Sequence, residues 1–121
     1  MTCARIADEK KGENIVVLDM RKVFFLTDYF VLCSGLNPKH LQTIADEIRA
    51  QMKAKHAAAL GREGYEAGAW ILIDYGDFVI HVLQDKLRRY YELDHLWADA
   101  SQVKWQKRAP AKRKQAAQRP S

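Results

Sequence analysis

Residues 70–83, WILIDYGDFVIHVL, hold two apolar runs, Trp70–Asp74 and Phe78–Leu83, separated by Tyr75-Gly76-Asp77. Each run is too short for a helix and is rich in β-branched and aromatic residues, and a three-residue connection containing glycine is a tight hairpin. The stretch therefore predicts two antiparallel neighbouring strands. Upstream, Gly61-Arg-Glu-Gly-Tyr-Glu-Ala-Gly-Ala69 holds three glycines and predicts a loop with a short edge strand around Tyr65. Before it, Asn37 is a favoured N-cap and Pro38 is at home in the first helical position. Leu41, Ile44, Ala45, Ile48 and Met52 then recur at helical spacing, so a helix is predicted from Pro38 to about Ala59, with Gly61 as its stop and this stripe facing a sheet.

Two further strands precede that helix. Tyr29–Cys33 ends in Ser34-Gly35, and Ile15–Leu18 is closed by Asp19; the second reads as a strand buried on both faces. Downstream, Asp85 to about Trp97 has a looser helical spacing, as one helix or one that breaks near Glu92. The order helix, strand, strand, helix, strands, helix predicts an α/β single domain with a mixed β-sheet flanked by helices.

The chain has 121 residues, 48% of them apolar and 29% charged, which suits one domain with one core. Residues 104–121 hold seven of the twenty Lys and Arg and none of the fifteen acids, so the net charge of +5 belongs to this end, and residues 1–103 carry thirteen bases against fifteen acids. The expected organisation is a folded domain over 1–103 and a disordered basic tail over 104–121. Solvation alone, a contact with RNA and an acidic protein surface are all open to that tail. No apolar run approaches the roughly 20 residues that span a bilayer, and the first dozen residues lack the apolar stretch of a signal peptide, so no membrane contact and a cytoplasmic location are expected. Cys3 and Cys33 are too few for a disulfide framework.

Asp74 and Asp77 flank the hairpin turn. Carboxylates three residues apart suit a turn, a protein contact or a hard cation. The phosphate-binding glycine loops that usually accompany such a cation in a transferase are missing from the sequence. Ser34 lies in CSGLN, without the GxSxG elbow, and Cys33 falls in a buried strand where a thiol is inert. His81 reads as a half-buried, hydrogen-bonded strand residue, and His40 and His56 as surface. Trp70, Tyr75, Tyr90, Tyr91, Trp97 and Trp105 gather late in the chain. Trp97 and Tyr90 read as core, whereas Tyr75, at a hairpin tip, reads as spare surface for a partner.

The stretches KKGENIVVLDM (10–20), LTDYFVLCSG (26–35), HLQTIADEI (40–48), EGYEAGAWILIDYGDFVIHVL (63–83) and RRYYELDHLWADA (88–100) together resemble the ribosomal silencing factor, or Iojap, family. The start is shorter than in the family and the basic tail lies outside the shared pattern. The resemblance implies a nucleotidyltransferase-like fold without transferase activity, so no enzyme, no cofactor, no metal and no small-molecule substrate are expected. It implies a translation repressor that binds the large ribosomal subunit through its protein number fourteen and sterically blocks joining with the small subunit. It further implies a contact surface on Trp70, Tyr75, Gly76 and Asp77 with Tyr91 adjoining, and a homodimer that competes with ribosome binding. Two other classes stay open: a metal-dependent nucleotidyltransferase using Asp74 and Asp77, against which the missing phosphate loop argues, and a small RNA-binding module, against which the acidic balance of residues 1–103 argues.

Overall fold

The computed structural model of the chain describes residues 2–105. The elements are α1 (Thr2–Glu9), β1 (Glu13–Asp19), β2 (Tyr29–Gly35), α2 (Pro38–Ala54), β3 (Gly61–Glu63), β4 (Trp70–Asp74), β5 (Phe78–Gln84), α3 (Asp85–Tyr90), α4 (Leu93–Leu96) and β6 (Ser101–Val103). The six strands form one sheet in the order β3-β4-β5-β2-β1-β6. Only β2 and β5 run parallel, because α2 and the β3–β4 hairpin lie between them as the crossover. The expected mixed α/β sheet is what the chain forms.

α2 starts where its sequence says. Asn37 accepts a hydrogen bond from the His40 backbone N–H at 2.9 Å, Pro38 opens the first turn, and Leu41, Ile44, Ala45, Ile48 and Met52 are all buried. It ends five residues before the expected Ala59. His56 takes a left-handed conformation at φ 66°, and the N–H groups of His56 and Ala57 return to the carbonyls of Lys53 and Met52 at 2.9 Å. This is the hydrogen-bond pattern that usually employs glycine, and histidine can enter the left-handed region at modest cost. α1 closes the same way, with Lys11 at φ 67° and Gly12 N–H bonded to the Ala7 carbonyl at 2.8 Å.

Alternation divides the sheet residues between two faces. Val17, Val31, Cys33, Ile71, Ile73, Ile80 and Val82 pack in one cluster with the buried sides of α1 and α2. Leu18, Met20, Phe30 and Leu32 form a smaller cluster on the back face, with Phe24, Val79 and Trp97 against it. Two helices thus cover the first face, and one loop and the C-terminal segment cover only part of the second. Ile15 and Val16 are only half-buried, so β1 is not buried on both faces as expected: its outer stretch lies near an edge closed by the three residues of β6.

Other expectations need adjusting. The edge strand is Gly61–Glu63 rather than around Tyr65. Its position follows from the pairing of Gly61 with Asp74 and Glu63 with Leu72. β6 was not expected at all. Trp105, assigned from sequence to the tail, packs against the main cluster, and its indole N–H donates to the Ile15 carbonyl at 3.2 Å. The rest of the expected tail, from residue 106, lies outside the described residues. The helix after β5 does break near Glu92, which is left-handed at φ 50° between α3 and α4. Tyr90 is exposed rather than core because it falls on the solvent side of α3.

Arg88 holds this end together. It is 2% exposed. One guanidinium nitrogen donates to the Asn14 carbonyl at 2.6 Å and to Ser34 Oγ at 3.0 Å, and the other two donors reach Asp94 Oδ1 at 3.3 and 3.1 Å. One planar group therefore joins β1, β2, α3 and α4. Arg88→Ala is expected to lower unfolding free energy by about 2 kcal/mol, since it takes a donor from the buried Ser34 hydroxyl and opens a void. Arg88→Lys should recover less than half of that loss, because an ammonium cannot reproduce the fork. Urea denaturation of the three proteins is the measurement.

Candidate functional site

On β4, Trp70, Leu72 and Asp74 share one face, and Ile71 and Ile73 the other. On β5, Val79 and His81 lie on the same side as Leu72, with His81 directly opposite Leu72 across the pair. This is the side that α1 and α2 leave open. Between these strands and the loop after β1 runs a groove of about 530 Å³. Its apolar walls are Phe24, Leu26, Phe30, Leu60, Leu72 and Val79, while Thr27, Asp74, Gly76 and His81 supply the polar lining. Leu26, Leu60 and the neighbouring Phe25, which is 92% exposed, leave apolar surface at its mouth.

His81 defines the floor. The Trp70 indole N–H donates to its Nδ1 at 3.2 Å, and Phe30 lies edge-on at 4.7 Å between ring centroids. An indole can only donate, so Nδ1 is an acceptor and the neutral ring carries its proton on Nε2. Burial holds the ring pKa down to about 4. Nε2 is buried and has no partner, and neither has the Thr27 hydroxyl.

The structure brings some of the sequence-predicted contact residues together and separates others. Trp70 and Tyr91 meet with ring centroids 5.9 Å apart, and Tyr90 lies edge-on to Tyr91 at 4.9 Å. Gly76, at φ 87°, makes the turn at the far end of the groove, where a side chain would be strained. Tyr75 is not spare surface. One step of alternation from Asp74 turns it to the α2 face, where its ring stacks on Phe78 at 5.0 Å and packs against the main cluster, with its hydroxyl buried and unpartnered. Asp77 contributes its carbonyl, which accepts from the N–H groups of Asp28 and Tyr29 at 2.9 and 3.2 Å and ties the hairpin to β2.

Asp74 accepts from the Gly76 N–H at 2.8 Å, which is a turn role. Among the described residues no group of three or more His, Cys, Asp or Glu is arranged to hold a metal ion. Cys33 and Cys3 are buried, and burial pushes both thiols up to about 12. His40 is no surface histidine: its Nδ1 accepts from the Leu36 N–H and its Nε2 meets the Lys10 carbonyl, both at 2.9 Å, joining the start of α2 to the end of α1. Thr27, Phe24, Leu26 and Leu60 went unread because they sit in loops without periodicity. The separation of Trp70 from Tyr75 had a signal in the sequence, since five positions along a strand and into its turn put the two on opposite faces.

The family model described as ribosomal silencing factor during starvation matches residues 1–121. The chain belongs to the ribosomal silencing factor family. It is 40% identical over 96 residues to the ribosomal silencing factor RsfS of Halalkalibacterium halodurans, covering 79% of this chain and 82% of that one. It is 36% identical over 102 residues to the mitochondrial Iojap-related protein of Arabidopsis thaliana, covering 80% of this chain and 55% of that one. A crystal structure from Bacillus halodurans superposes with a TM-score of 0.75 at 35% identity, over 86% of this chain and 95% of that one. One from Chromobacterium violaceum does so at 0.77 and 28%, over 91% and 90%. Silencing factors are not a known enzyme family, and among the described residues no helix is long and apolar enough to cross a membrane.

Two titration and stability results follow from the buried polar atoms. Above pH 6.5 His81 is neutral folded or unfolded and adds no pH dependence. Between 6.5 and about 4 the unfolded chain binds a proton that the folded chain refuses, so stability falls as pH drops through that window, by about 3 kcal/mol at pH 4. His81→Gln should lose about that much less between pH 7 and pH 4 in denaturant titrations. Tyr75→Phe, which deletes a buried hydroxyl without a partner, is expected to leave stability unchanged or raise it by about 1 kcal/mol, read as a shift in the denaturation midpoint.

Proposed function

We propose that this chain represses translation by docking on the large ribosomal subunit through its protein number fourteen, so that its bulk obstructs joining with the small subunit. A ribosome-associated, translation-repressing role comes with membership of the silencing factor family. The observation that carries the finer reading is that this match extends over the whole chain and the fold keeps part of one sheet face uncovered, with paired aromatics at its end. Tyr, Trp and exposed apolar side chains gathered on one face are what a protein partner uses as anchors. Trp70 and Tyr91 form the centre of this surface, with Gly76 at its margin. Tyr75 and Asp77 support it from the hairpin, Tyr75 from the opposite face and Asp77 through its backbone. No bond is made or broken in such a mechanism, and it runs in the cytoplasm without cofactor or substrate. The free protein pairs with a second copy in competition with the ribosome, and the basic segment from residue 104 adds a contact with ribosomal RNA.

The test is sedimentation with purified subunits. The protein should travel with free large subunits and not with small ones, and should lower the yield of joined ribosomes without consuming nucleotide. Tyr91 is exposed, so Tyr91→Ala should keep its melting temperature within about 2 °C and weaken large-subunit binding about tenfold or more. Normal joining at saturating protein rejects the steric reading.

A further inference from the structure

The groove beside Trp70 contains something that packing does not explain. Its walls are apolar, yet the His81 Nε2–H and the Thr27 hydroxyl lie at its lining with no hydrogen-bond partner, although His81 is 9% and Thr27 5% exposed. Buried polar groups are normally paired, and two left open among the lining residues of one cleft point to an acceptor that arrives from outside. The indole N–H of Trp70 fixes which nitrogen of His81 carries the proton, so the ring can present only a donor here.

We propose that this groove seats an apolar side chain of a basic ribosomal protein, and that the His81 Nε2–H and the Thr27 hydroxyl donate to a main-chain carbonyl beside that side chain. The proposal rests on the reading that the chain docks on the large subunit, and it says how the partner is recognised.

Three features select this occupant. A main-chain carbonyl next to an aliphatic or aromatic side chain combines the acceptor and the apolar bulk that the groove asks for, within one or two residues of a polypeptide. The groove is continuous with the Trp70–Tyr91 surface, because Trp70 bonds the same histidine that forms the floor. Its one charged lining residue is the carboxylate Asp74, and the exposed Asp28 and Asp77 are the chain neighbours of Thr27 and Gly76, with Arg21 close enough to Asp28 to interact with its charge. No lysine or arginine is among the lining residues, and among the described residues neither Asp28 nor Asp77 is in an ion pair. Such a rim attracts a cationic partner, whereas a second copy of this chain meeting groove to groove would set these carboxylates against each other. The two donors are buried, so the incoming carbonyl must displace part of the groove wall, in which Leu26 and Leu60 are exposed and free to change rotamer.

The experiment measures dissociation constants on purified large subunits for the full chain and three variants, with thermal unfolding and sedimentation velocity of each protein alone. His81→Phe removes the donor, His81→Gln keeps an N–H near the Nε2 position, and Leu72→Trp fills the groove without altering charge and suits a strand. His81→Phe is expected to bind about tenfold more weakly, His81→Gln within about threefold of the parent, and Leu72→Trp at least tenfold more weakly. Because His81→Phe also removes the acceptor of the Trp70 N–H, its loss of affinity counts for the groove only together with that of Leu72→Trp, which leaves this bond in place. Should His81→Phe fail to fold, Leu72→Trp and His81→Gln still decide the matter. A folded His81→Phe or Leu72→Trp protein that binds like the parent overturns the groove while leaving the docking reading intact. Variants that change self-association but not subunit binding overturn it in favour of a second copy. If the parent itself does not bind large subunits, the docking reading fails and the groove proposal with it.

Discussion

A guanidinium withdrawn from water is tolerated only when every side of it is answered, and Arg88 is answered from three parts of the chain at once. Its partners are a carbonyl of β1, the hydroxyl at the end of β2, and a carboxylate of α4, while its own backbone belongs to α3. Because a planar donor accepts few geometries, this group sets where the C-terminal segment lies relative to the sheet. The position of Trp97 over Phe30, 5.2 Å away and edge-on, and of Tyr91 beside Trp70 both follow from where α3 and α4 are held. The aromatic surface is thus positioned by a charge that is almost wholly withdrawn from solvent.

The site exists because the two faces of the sheet are covered unequally. α1 and α2 close one face with aliphatic side chains. On the other face the C-terminal segment and the loop after β1 reach the middle strands but leave β4 and part of β5 bare. Trp70 and Leu72 lie half-exposed on that ground, with the buried His81 opposite Leu72, so binding chemistry and incomplete burial have the same origin.

Much of this could be read from residues alone. The stripe on α2, its cap at Asn37 and the hairpin at Tyr75-Gly76-Asp77 are local patterns with local causes, and they appear where expected. The helix end was misjudged because a histidine filled a conformation that glycine usually supplies. β6 and Trp105 escaped because three residues carry no periodicity and their neighbours are basic, so only pairing with β1 gives them structure. Arg88 was hidden for a related reason: in RRYY nothing distinguishes the arginine that turns inward from the one beside it. The aromatic site was half legible. Trp70 and Tyr91 come together through α3, which no spacing rule foretells, while Tyr75 was assigned outward by its place in a turn although alternation along the strand sends it inward.

The clasp between the first and last described elements has a consequence for synthesis. Val17 pairs with Val103, Arg5 reaches the Trp105 carbonyl at 3.3 Å and Trp105 reaches the Ile15 carbonyl. Contacts so far apart in sequence must wait until nearly the whole domain has been made, and they close late because their loop entropy is largest. Until then β1 is a bare edge, with Leu18 and its neighbours open to pairing with any extended strand. A chain released early by a stalled ribosome would therefore be sticky where the finished one is sealed, so that the protein's own solubility depends on the completion of its translation.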